Sequence, residues 1–78
     1  MPTVLRQDGF AVKIYTHDHE PMHVHVFKSG HEVVIDLMTI EVREYRGMKT
    51  KEVHKAQDIV ASYQDFLIRE WRRIGPIS

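Results

Sequence analysis

Apolar residues alternate with polar ones through the first half of this chain and recur every three or four positions through the second. Over residues 10–16, Phe10, Val12 and Ile14 alternate with Ala11, Lys13 and Tyr15, the period of a half-buried strand. Residues 22–28 repeat the pattern, with Met22, Val24 and Val26 against His23, His25 and Phe27, and residues 32–38 form a third run rich in β-branched side chains. Residues 3–6 are a shorter strand ended by the turn pair Asp8-Gly9, and His17 to Pro21 read as a loop between two strands. Residues 40–45 fit a short edge strand or a helical turn equally. From Lys51 to Ile74, the stripe Val53, Ala56, Ile59, Val60, Tyr63, Leu67, Trp71 and Ile74 predicts one long helix, with Thr50 as its N-cap and Gly75-Pro76 as its stop.

Register follows from the turns. Ser29-Gly30 as a two-residue hairpin turn pairs Lys28 with His31, so Val26 faces Val33 and Val24 faces Ile35. The other sheet face then pairs His25 with Val34 and His23 with Asp36. A slip of one residue would scramble both faces. Across the preceding loop, the same logic sets Lys13 opposite His25 and Tyr15 opposite His23. The expected fold class is α+β: a small antiparallel sheet of three to four strands packed against one long C-terminal helix. Residues 1–78 form a single domain, with residues 1–46 strand-rich and 50–75 helical. The helix is expected to cover Val12, Ile14, Val24, Val26, Val33 and Ile35. The opposite face, carrying Phe27, Val34 and Met38 beside the histidines, is left for a second copy or a partner.

Composition narrows the function classes. Eleven basic and eleven acidic side chains cancel, so no global field advertises nucleic acid or a membrane surface. Arg43, Arg46, Lys49, Lys51 and Lys55 outnumber the neighbouring Glu44 and Glu52, a local excess read as a solvated helix start ahead of a nucleic-acid or acidic-partner surface. Without cysteine there is neither a disulfide framework nor a thiolate metal site. No run approaches the roughly 20 apolar residues of a membrane helix, and residues 1–20 lack a secretory-signal layout. A cytoplasmic location is the expectation.

The candidate chemistry is concentrated. Four of the six histidines, His17, His19, His23 and His25, fall within nine residues. The His23-x-His25 spacing on a strand sends both imidazoles to one sheet face, where Tyr15 and Asp36 join them and His17 and His19 lie at the rim. Imidazole and carboxylate ligands suit a transition metal such as zinc or nickel better than calcium or magnesium. The metal ligand set expected from sequence is His19, His23 and His25, within a binding group of Tyr15, His19, His23, His25 and Asp36. Two other readings compete. Acid–base catalysis of RNA cleavage would use His23 and His25 with Lys13 or Lys28. A plain exposed β-face would hold the histidines with no function, a His23–Asp36 pair adding a few tenths of a kcal/mol. A cupin-like site is excluded, since the next acid after His25 is Glu32 and the chain is too short for that barrel.

The run Asp18-His19-Glu20-Pro21-Met22-His23-Val24-His25-Val26 resembles the Asp-His-x-Pro-Pro-His-Val-His-Val signature of the family called domain of unknown function 4160. So do the opening Met1-Pro2-Thr3-Val4-Leu5-Arg6, the following Asp8-Gly9-Phe10, the Arg46-Gly47 pair before a helix and the late Trp71. Met22 departs from the pattern, standing where the family has a second proline. The resemblance implies a small, mainly bacterial protein with no established activity, whose relatives look like partners of another small protein encoded nearby, as in toxin–antitoxin modules. From it, His19, His23 and His25 carry over as site residues. The resulting expectation is a non-enzymatic binding module that holds a metal or small ligand, with a histidine-dependent ribonuclease or toxin as the alternative.

Overall fold

The computed structural model describes residues 3–75. Its five strands are β1 (Thr3–Gln7), β2 (Phe10–Lys13), β3 (His23–Lys28), β4 (His31–Asp36) and β5 (Val42–Arg46), followed by helices α1 (Thr50–Ser62) and α2 (Gln64–Ile74). The strands form one antiparallel meander in chain order. Both tight turns carry positive φ at their two central residues, Asp8 and Gly9 (51° and 81°) and Ser29 and Gly30 (51° and 79°). That geometry matches the right-handed twist of the flanking strands and locks the register on either side. The β3–β4 pairing is the one read from sequence, from Lys28–His31 through His23–Asp36. Lys13 also lies opposite His25 as expected.

The structure corrects the sequence reading in two elements. Residues 42–46 are a strand, so the sheet has five strands rather than three to four. As the last strand in the sheet β5 is flanked on one side only, and four of its five residues are exposed, which leaves little apolar alternation to read. The C-terminal segment is two helices rather than one, broken at Tyr63, whose φ and ψ of −111° and 20° are not helical. An unbroken helix from Thr50 to Ile74 would run about 37 Å at a rise of about 1.5 Å per residue. The molecule's longest dimension is 30 Å, so a straight helix would overshoot the sheet. Breaking at Tyr63 keeps Leu67 and Trp71 on the core, and the Gln64 side chain anchors the bend by donating to the Leu37 carbonyl at 2.7 Å. The N-cap is Lys49 rather than Thr50, with no side-chain capping bond, and Gly75 ends α2 in the left-handed conformation.

One face of the sheet carries the core. Phe10, Val12, Ile14, Val24, Val26, Val33 and Ile35 are sealed beneath Ala56, Ile59, Val60, Leu67 and Trp71. On the other face Val34 is already buried, and the Phe27 ring lies 4.8 Å beneath the Lys13 ammonium. Of the three apolar residues expected to be open there, only Met38 is exposed. Among the described residues, no helix is long and apolar enough to cross a membrane.

Candidate metal centre

Strand β3 projects His23 and His25 to the same side, two residues apart, and their rings meet edge to face with centroids 5.2 Å apart. The loop after β2 then folds back over them. Asp18 is fixed to Tyr15 twice: its own N–H donates to the Tyr15 carbonyl, and its Oδ2 accepts from the Tyr15 N–H, both at 3.0 Å. With Oδ2 committed, Oδ1 faces the imidazoles, 3.3 Å from Nε2 of His23 and 3.2 Å from Nε2 of His25.

The far side of each ring is tied down as well. Nδ1 of His23 lies 2.9 Å from the Pro21 carbonyl, an acceptor only, so Nδ1 carries the proton there. Arg43 Nη1 also approaches that Nδ1 at 3.5 Å, but a nitrogen already donating to a carbonyl has no lone pair to offer a guanidinium. Nδ1 of His25 donates to Glu32 Oε2 at 2.8 Å. Each imidazole therefore spends Nδ1 on an acceptor and turns Nε2 toward Asp18. Two neutral rings in that state would aim two lone pairs at a carboxylate oxygen. The geometry calls for positive charge at the centre, supplied either by protons on Nε2 or by a cation.

The distances accommodate a metal ion as well as a proton on each Nε2. The three ligand atoms lie within 4.8 Å of one another. A tetrahedral zinc with bonds of about 2.0–2.1 Å separates its ligand atoms by about 3.3 Å. The two Asp18–histidine separations are already at that value. Pro21 and Glu32 occupy the positions that acceptors behind metal-bound histidines take, fixing tautomer and ring orientation. The side chains of His23, Asp18 and His25 keep 11, 12 and 16% of their surface exposed, so the centre is shielded yet reachable.

Around this centre the expected residues are distributed unevenly. The Tyr15 ring packs edge-on against His25 at 4.6 Å, although β2 ends at Lys13 and Tyr15 pairs with no strand. Burial, then the negative charges of Glu32 and Asp18, pushes its phenol above the ordinary tyrosine value and keeps it a proton donor. His19 is exposed on the loop, as is His17, and neither belongs to the convergent group. Asp36 sits opposite His23 in register, but its carboxylate is used elsewhere. It accepts from the N–H groups of Met38 and Thr39 and from Arg43 Nη2, which also donates to the Pro21 carbonyl. Burial alone would raise the Asp36 pKa; the bonds from Thr39, Met38 and Arg43, with the Arg43 charge, outweigh it and hold it below the usual carboxylate range. Sequence reasoning missed Asp18 and Glu32. Glu32 was within reach of it, since the stated register makes it the diagonal neighbour of His25 on the same face.

The lysines considered for catalysis are engaged elsewhere. Lys28 lies over the Phe10 ring at 4.5 Å, on the core side of the sheet, and Lys13 lies over Phe27.

Fold and site together define a small α+β protein with a two-histidine, one-carboxylate cluster on the uncovered face of its sheet. The chain belongs to the family described as Domain of unknown function (DUF4160), whose family model matches residues 9–72. No curated protein and no solved structure matches it.

Proposed function

We propose that this protein is a binding domain built around a divalent transition-metal ion, zinc or nickel, held by Asp18 Oδ1 and by Nε2 of His23 and His25. The observation that carries the reading is the convergence of both Nε2 atoms on one carboxylate oxygen at 3.2 and 3.3 Å, with both Nδ1 atoms already committed behind them. Three protein ligands leave a coordination position for an exchangeable group, the arrangement of sites that act on or recognise a small ligand. Calorimetric titration of the untagged protein tests it. Zinc is expected to bind one to one, and Asp18→Asn or His25→Ala to weaken it at least tenfold while the circular dichroism spectrum is retained. Equal affinity in all three proteins would remove the site.

The companion half of this reading is a partner protein, in a pair of toxin–antitoxin type. Its support is the family resemblance and the exposed strand β5, where Tyr45 keeps 62% of its surface. A binding module is expected to show no turnover of RNA. The ribonuclease alternative requires cleavage that disappears in His23→Ala and His25→Ala proteins that still fold.

A further inference from the structure

Between the ligands Asp18 and His23 lies a short loop, and its midpoint is held from outside the sheet. Glu20 Oε2 accepts from the Trp71 indole N–H at 3.3 Å. The same indole packs against the His23 ring with centroids 5.4 Å apart. Trp71 is 4% exposed and, with Leu67, is one of the two buried side chains of α2. Through this one side chain α2 touches both a ligand ring and the segment that carries the next ligand. The loop's other anchors do not involve α2: the Tyr15 backbone holds Asp18, Arg43 and the His23 ring hold the Pro21 carbonyl, and the Leu37 N–H holds the Met22 carbonyl.

The bend at Tyr63 sets α2 off from α1 as an element of its own, although across it the Tyr63 N–H still donates to the Ile59 carbonyl and the Leu67 N–H to the Tyr63 carbonyl. Lifting α2 would remove the wall behind His23 and the clamp on Glu20 together. Each loss widens the spread of positions open to a ligand, and metal sites tolerate displacements of only a few tenths of an ångström.

We propose, resting on the metal reading above, that metal loading and the seating of α2 are one linked equilibrium, with Trp71 as the positioning residue that joins them. The ion then binds the seated form, and every ion bound holds α2 down. The reciprocal follows from linkage: whatever pulls α2 away releases the metal.

Hydrogen exchange on the full chain, with and without zinc, tests the linkage directly. A ligand present at 100 times its Kd and bound only by the seated form reduces the open population about 100-fold. The α2 amides between Leu67 and Ile74 are therefore expected to exchange up to about 100-fold more slowly with zinc. The Trp71→Phe protein, which keeps an aromatic wall but loses the indole N–H, is expected to bind zinc about tenfold more weakly. Glu20→Gln, which retains an acceptor oxygen, is expected to stay within about threefold of the wild type. If zinc binds by calorimetry while α2 exchange changes less than twofold, the linkage is overturned and the metal site stands. If calorimetry shows no zinc binding at all, the metal reading fails first and this inference falls with it.

Discussion

At the scale of single residues, the site is decided by what each histidine does with its second nitrogen. His25 is the more constrained ring, held between Asp18 and Glu32, with the Tyr15 edge against its side. Glu32 does not face the proposed ion, so its effect runs through His25 alone. Glu32→Gln keeps the length of the side chain and an acceptor oxygen but removes the charge behind the imidazole. Zinc affinity is expected to fall about 10-fold, and about 10- to 100-fold in Glu32→Ala, the range seen when acceptors behind metal-bound histidines are removed. His19→Ala, by contrast, is expected to leave affinity unchanged, because that side chain is exposed and outside the convergent group. Calorimetry on the three proteins separates these outcomes. A large loss in His19→Ala with none in Glu32→Ala would return the site to the ligand set expected from sequence.

At the scale of elements, the β3–β4 hairpin was legible in the sequence down to individual pairs, and the loop over it was not. The hairpin could be read because Ser29-Gly30 supplies a turn whose geometry leaves one register, and because Val24, Val26, Val33 and Ile35 all turn to one face only in that register. Loop 14–22 offers no such repetition. Asp18 rather than His19 points inward because two hydrogen bonds to the Tyr15 backbone set its direction. An Asp three residues past a strand-end Tyr is a turn signal that could have located it. Asp36 does comparable work where β4 turns toward β5. Its pKa is lower in the folded state than in the unfolded chain. Its contribution to stability is therefore complete above the unfolded value, near 3.8, and fades as pH falls through the folded one. Asp36→Asn is expected to be less stable than the wild type at pH 7 and to lose less on acidification below about pH 4. Chemical denaturation at pH 7 and pH 3 measures the difference. Equal acid sensitivity in the two proteins would mean that Asp36 contributes nothing to it.

At the scale of the whole molecule, one layer of helix covers one layer of sheet, and the histidine–carboxylate cluster lies on the other side. The division follows from strand alternation, which sends Val24 and Val26 into the core and His23 and His25 away from it. α2 joins the two sides, with Leu67 in the core and Trp71 reaching round to His23. Its seat depends on few buried groups, so Leu67→Ala is expected to cost about 2–5 kcal/mol. That is a large share of what a domain of this size can hold, and urea unfolding should show it as a lowered midpoint. A loss of unfolding free energy below about 0.5 kcal/mol would show that α2 contributes little to the core. The most direct test of the account is a proton–nitrogen NMR spectrum of the imidazole rings recorded through a zinc titration. In the loaded protein His23 and His25 are both expected to carry their proton on Nδ1, with their Nε2 resonances alone shifting to saturation and His17, His19, His31 and His54 unmoved. Zinc-induced shifts spread evenly over all six rings, or none at His23 and His25, would contradict it.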